Sequence, residues 1–165
     1  MVKVAFMEAS PAHMILEPGA VAPDFDLVNQ FGQRVRLADF RGVKPVSLVF
    51  FPLAFSGICQ GELCELRDNL AMFDDATVEL LGVSVDSKHT LRAWAEEQAF
   101  SFQLLADFWP HGEVAAAYGA FDDAAGTAHR ATFVIGADGV IASSFATPRG
   151  EARPLERYRD AIAAL

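Results

Sequence analysis

Val46-Ser47-Leu48-Val49-Phe50-Phe51-Pro52-Leu53-Ala54-Phe55-Ser56-Gly57-Ile58-Cys59-Gln60-Gly61-Glu62-Leu63-Cys64 is the stretch from which the rest of the chain is read. From Val46 to Phe51 both alternating faces are apolar apart from Ser47, the pattern of an interior strand covered on both sides. Pro52 has no N–H to give to a ladder, so the strand should end there. The chain then turns through Ser56-Gly57 and enters a helix. Leu63, Leu66, Leu70 and Phe73 fall at i, i+3, i+7 and i+10. That spacing predicts one apolar stripe on one helix. Ser56 is the candidate N-cap, which places Cys59 at the third helical position.

That position has chemical consequences. The first turn of a helix carries free backbone N–H groups and the positive end of the helix dipole. Both favour a thiolate over a thiol, and the thiolate is the nucleophile. The competing reading is a small buried hydrophobe. A cysteine set just after a strand, a proline and a serine at a helix start favours the reactive reading.

Pro52, Ser56 and Cys59 match the P-x-x-x-S/T-x-x-C pattern of the peroxiredoxins. The longer run from Phe50 to Leu63 resembles their actinobacterial branch called AhpE. The resemblance resumes at Asp107-Phe108-Trp109-Pro110-His111-Gly112 and at Arg130-Ala131-Thr132-Phe133-Val134, and it covers the chain from about Leu16 onward. It implies a thioredoxin-like α/β fold, a central mixed β-sheet flanked by helices. It also implies a thiol-dependent peroxidase that reduces hydrogen peroxide and organic hydroperoxides through a cysteine sulfenic acid. No bound cofactor or metal is implied. An external thiol reductant is required, either thioredoxin, mycoredoxin or a similar protein. A homodimer joined through loops near the active site is implied as well.

Cys64 departs from the single-cysteine pattern of that branch. The C-x4-C spacing resembles the PrxQ-like, or bacterioferritin-comigratory, peroxiredoxins, whose second cysteine resolves the first through an intramolecular disulfide. A continuous helix over these residues rises ~7.5 Å and turns ~500°, which puts the two Cα atoms roughly 8.6 Å apart. A disulfide spans about 4.4–6.8 Å. Resolution therefore requires the first turns to unwind, and Gly57 and Gly61 lower the cost of that, glycine being ~1 kcal/mol worse than alanine in a helix. The competing reading makes Cys64 an inert core residue, with the reductant attacking the sulfenic acid directly.

Composition bounds the remaining possibilities. With 165 residues, 52% of them hydrophobic and 14 of them phenylalanine, the chain can bury a real core as one domain. A formal charge of −9 argues against nucleic acid and anionic membrane surfaces as partners. No apolar run reaches the ~18 residues of a membrane span. No basic segment followed by an apolar core marks an export signal. Two cysteines in such a chain point to a cytoplasmic protein with redox-active thiols.

Residues 1–15 read as an N-terminal extension and 16–165 as the domain. Phe25 to Val28 and Val35 to Leu37 read as a strand hairpin across Asn29-Gln30-Phe31-Gly32. Val78 to Val85 reads as a strand parallel to the first, completing a right-handed β-α-β unit. Ser87 is placed to cap the helix carrying Leu91 and Trp94, and Phe102 to Leu105 is a further strand. His111 to Tyr118 reads as a helix ended by Gly119. Ala131 to Ile135 and Val140 to Phe145 flank an Asp-Gly turn. Leu155, Tyr158, Ile162 and Leu165 stripe a C-terminal helix.

Arg130, at the start of a strand, matches the position of the active-site arginine in peroxiredoxins, where positive charge beside the sulfur stabilises the transition state. Without that match it reads as a surface ion-pair residue. Ser56 can bond the sulfur or the peroxide, or serve only as a cap. Pro52 shields the thiolate from water. Glu62, one turn after Cys59, either positions Arg130 or is a solvated helix glutamate. Trp109 either packs or borders the site. His13, His89, His111 and His129 lack metal-ligand spacing and read as structural or exposed. A second function class is a thiol-disulfide switch or carrier without peroxide turnover, which needs the cysteine pair but neither Arg130 nor Ser56.

Overall fold

The computed structural model describes residues 15–165. The extension, and His13 within it, lies outside them, while the Ile15 side chain is already buried against the core. The strands are β1 (Asp26–Asn29), β2 (Arg34–Arg36), β3 (Val46–Phe50), β4 (Glu79–Ser84), β5 (Gln103–Ala106), β6 (Phe121–Asp122), β7 (Thr127–Ala128), β8 (Arg130–Ile135) and β9 (Ile141–Thr147). The α-helices are α1 (Gly57–Asp68), α2 (Ala71–Asp75), α3 (Lys88–Gln98), α4 (Glu113–Ala117) and α5 (Leu155–Ala163). A 3-10 turn covers Leu37–Asp39.

Seven strands form one mixed sheet in the order β2-β1-β5-β4-β3-β8-β9, while β6 and β7 pair apart from it. β3 runs parallel to β4, with Leu48 opposite Leu81, and antiparallel to β8, with Leu48 opposite Phe133. Every residue of β3 is buried. This agrees with the two-sided apolar pattern of its sequence, because helices and loops cover both faces. β3-α1-β4 followed by β8-β9-α5 is the thioredoxin-like order, in an α/β sheet flanked by helices. One core, with Phe50, Tyr118 and Phe133, fills one face. The other, with Phe51, Leu63, Leu66, Phe73, Trp94 and Tyr158, fills the face under α1, α3 and α5.

Three elements differ from the sequence reading. The Leu63–Phe73 stripe is divided between two helices. Asn69 leaves helical geometry at φ −120° and ψ 25°, and its side-chain amide donates to the Glu65 carbonyl at 2.8 Å, so α1 stops and α2 starts anew. The stripe still faces the core, because Leu66 and Phe73 are both buried. The α4 helix is shorter than its apolar pattern because Gly112 takes a left-handed φ of +71° just before it. The β6–β7 hairpin carries too short a pattern to be read from sequence. Ser87 caps α3 through its hydroxyl oxygen, which accepts from the Thr90 N–H at 3.3 Å, and Gly139 takes a φ of +82° in the Asp138-Gly139 turn.

Candidate active site

The site forms where β3 hands over to α1. Pro52 ends the strand and is itself buried. The loop after it is pinned from the neighbouring strand's end, where Asp86 Oδ2 accepts from the Ala54 N–H at 2.8 Å and from the Ser84 hydroxyl at 2.7 Å. Phe55 then takes a φ of +64°, an uncommon conformation for an aromatic residue, and turns the chain into the helix. Ser56 sits at the N-cap position with extended geometry, but its hydroxyl does not cap. It donates instead to the Leu53 carbonyl at 2.9 Å, closing the tight turn. The first-turn N–H groups of α1 are therefore left without the serine oxygen as a partner.

Cys59 is the third residue of α1 and is fully buried. Arg130, at the first position of β8, reaches it from the strand adjoining β3. Its Nη1 donates to the Cys59 sulfur at 3.2 Å and to Glu62 Oε1 at 2.6 Å, and its Nε donates to the Arg149 carbonyl at 2.8 Å. Arg130 is only 4% exposed, which rules out the surface ion-pair reading. Glu62 is 3% exposed and is not a solvated helix glutamate.

Glu62 has a second partner that the sequence did not suggest. Arg153, 2% exposed, donates to Glu62 Oε2 through its backbone N–H at 2.6 Å and its Nε at 2.9 Å. It also donates through Nη2 to Oε1 at 3.2 Å, and through Nη1 to the Phe50 carbonyl at 2.7 Å and to Thr132 Oγ1 at 3.2 Å. Burial alone pushes the Glu62 carboxyl up, but hydrogen bonds and charge from Arg153, joined by the charge of Arg130, hold it below the usual carboxylate range. One carboxylate thus orders two buried guanidinium groups, and one of them lies against the sulfur. Nothing local marks Arg153, which stands 91 residues from Glu62 in a segment that reads as a loop. Its only signal is an arginine immediately before Pro154 and the last helix.

An open cleft of about 390 Å³ lies over the site, lined by Pro52, Leu53, Ser56, Gly57, Ile58, Arg130, Arg149 and Gly150. Its floor is polar at Arg130, while Leu53 and Ile58 are exposed apolar side chains on its wall. Trp109 is not among the lining residues. Its ring is 81% exposed on the loop before α4, so within this chain it neither borders the cleft nor packs in the core. Trp94 is fully buried against Phe51 and Phe100, and its ring N–H points to Gln60 Oε1 at 3.4 Å.

Cys64 lies on the unbroken α1 helix, half-buried, with its thiol 3.4 Å from Gln98 Oε1. Both cysteines are free thiols. His89 and His111 are exposed, and His111 Nε2 lies 2.6 Å from the Gly126 carbonyl. Among the described residues no group of three or more His, Cys, Asp or Glu side chains is placed to hold a metal ion. Among them also, no helix is long and apolar enough to cross a membrane.

Comparisons with known proteins show the family and the fold. The sequence profile of the AhpC/TSA family matches residues 18–144. Alkyl hydroperoxide reductase E of Mycobacterium tuberculosis is 49% identical over 151 residues, covering 92% of this chain and 99% of that protein. Peroxiredoxin Bcp of Escherichia coli is 36% identical over 138 residues, covering 79% of this chain and 85% of that one. The crystal structure of Enterococcus faecalis AhpC superposes with a TM-score of 0.82 at 29% identity, covering 89% of this chain and 90% of that one.

Proposed function

The chain belongs to the AhpC/TSA family and is a peroxiredoxin, and on that premise we propose that Cys59 is the peroxidatic nucleophile of a thiol peroxidase whose sulfenic acid is resolved by Cys64. The observation that carries the reading is the shared Arg130 Nη1, bonded at once to the Cys59 sulfur and to Glu62. A guanidinium fixed beside the sulfur stays in place as charge moves onto the peroxide oxygens, so it needs no reorganisation during the reaction.

In the first step the Cys59 thiolate attacks one peroxide oxygen. The S–O bond forms, the O–O bond breaks, and the departing alkoxide or hydroxide takes up a proton. Arg130 stabilises the charge that spreads over the two oxygens. Glu62, itself fixed by Arg153, positions Arg130. Pro52 closes one side of the cleft and limits water at the sulfur. Ser56 supplies a hydrogen bond to the peroxide when its hydroxyl rotates away from Leu53. In the second step Cys64 attacks the sulfenic sulfur, the S–S bond forms, and the oxygen leaves as water. An external dithiol protein, thioredoxin, mycoredoxin or a similar reductant, then reduces the disulfide. Leu53 and Ile58, exposed on the cleft wall, and Phe55, exposed on the same loop, support a homodimer joined near the active site.

A carrier that only exchanges disulfides needs no buried arginine at its thiol, so the Arg130 contact favours the peroxidase reading over that alternative. The test is titration of free thiols after one equivalent of peroxide, with peptide mapping, in the wild type and in Cys64→Ser. The expected result is loss of both thiols to a 59–64 disulfide in the wild type, and a persistent sulfenic acid on Cys59 in the variant. Wild-type protein that keeps the Cys64 thiol free after oxidation would remove the resolving step.

A further inference from the structure

The following inference rests on the resolving role of Cys64. In the reduced protein Cys64 is tied to the end of α3. Its thiol donates to Gln98 Oε1 at 3.4 Å, while Arg67, nearly one turn further along α1, donates to the Gln98 backbone carbonyl at 2.6 Å. Gln98 is the last residue of α3, and Ala99 ends that helix at a φ of +56°. The carbonyl that Arg67 takes is therefore one of the helix-terminal acceptors that need a partner. Arg67 anchors the second half of α1, and the Gln98 side chain holds the thiol itself.

The hydrogen in that thiol–amide bond is the one Cys64 must lose to attack, since the thiolate is the nucleophile. The same bond keeps the sulfur directed at α3. We propose that Gln98 is a positioning residue for the resolving step: its side-chain amide latches the Cys64 thiol against α3, and release of that latch gates formation of the Cys59–Cys64 disulfide. After release the Cys64 sulfur gives up its proton and bonds to the Cys59 sulfur. The S–O bond of the sulfenic acid breaks, and its oxygen departs as water with that proton. Arg67 keeps the far end of α1 docked, so the movement falls on the first turns and on the Cys64 side chain. Gln60 lies between the two cysteines and meets the Trp94 ring N–H at 3.4 Å, so Trp94 fluorescence reports the unwinding.

The test uses the whole protein with Gln98→Met, which keeps the length without the oxygen, and Gln98→Glu, which keeps an acceptor and adds negative charge. Stopped-flow fluorescence after a peroxide pulse is paired with alkylation quench and mass spectrometry of the 59–64 disulfide. The first phase, sulfenic acid formation, should be the same in all three proteins. The second phase should be roughly two- to tenfold faster in Gln98→Met, the range set by one hydrogen bond, and slower in Gln98→Glu. Its pH profile should move in opposite directions in the two variants. A purely structural role would loosen the α1–α3 contact in both and leave the pH profile in place. Equal second phases and pH profiles in three proteins that all form the disulfide would overturn the latch alone. A wild-type sulfenic acid that lives as long as that of Cys64→Ser would overturn the latch by removing the resolving role beneath it.

Discussion

Arg130 Nη1 lies 3.2 Å from the Cys59 sulfur although the two residues are 71 positions apart, one opening a strand and the other in the first turn of a helix. The helix start and the guanidinium approach the sulfur from different elements. Replacing Cys59 by Ser should abolish peroxidase turnover while circular dichroism and the melting temperature stay near wild type, because Ser nearly matches the thiol in size. Turnover near the wild-type rate with a thiol reductant would remove Cys59 from the mechanism.

Arg130→Ala should slow peroxide reduction by about 10²–10³, the usual cost of losing one preorganised donor to the transition state. Arg130→Lys should recover only part of this, since a lysine cannot serve the sulfur, Glu62 and the Arg149 carbonyl together. The measurement is the second-order rate constant of the first fluorescence phase. A value within twofold of wild type in Arg130→Ala would contradict the assignment.

Glu62→Ala should be costly to the fold as well as to the rate. It leaves two buried guanidinium groups without their carboxylate, and breaking a buried pair from one side costs about 3–5 kcal/mol. Denaturant unfolding measures this. Because the folded carboxyl sits below its usual range, the stability that Glu62 contributes is present above the ordinary value of about 4.3 and is lost as pH falls through the lower folded value. The acid limb of the stability curve should therefore be shallower in Glu62→Gln than in wild type.

Asp107 should act in the opposite sense. Burial pushes its carboxyl up to about 6, against the lowering pull of the Ala115 and Val114 N–H groups that it accepts. Between about pH 4 and 6 the folded state then holds a proton that the unfolded chain has released, so stability from this group falls as pH rises through that window. The full effect is roughly 3 kcal/mol at about 1.36 kcal/mol per unit. Thermal melts across pH 4 to 7 should show this slope in wild type and its loss in Asp107→Asn. Parallel curves would refute it.

Much of this protein was legible in the sequence because the relevant physics is local. The two-sided apolar run Val46–Phe51, the break at Pro52, the Ser87 cap and the Asp138-Gly139 turn each depend on a few neighbouring residues, and each stands where the pattern put it. The family resemblance rested on the same kind of short spacing, that of Pro52, Ser56 and Cys59. Periodicity was weaker at element ends, since an apolar stripe cannot show that Asn69 leaves helical geometry while Phe73 still reaches the core.

Only the tertiary structure decided the environment of the sulfur. Whether an arginine is solvated or buried depends on what closes over it, and a single position carries no record of that. Arg153 comes to Glu62 because the segment after β9 folds back over the sheet, and its buried charge is paired there with the Glu62 carboxylate, which also holds Arg130. The same holds for Cys64, whose spacing from Cys59 was plain in the sequence. Its bond to Gln98 exists only because α1 and α3 pack on the same face of the sheet. The sequence pointed to the candidate atoms of the site, through patterns among near neighbours; the packing of distant segments determined which charges surround them.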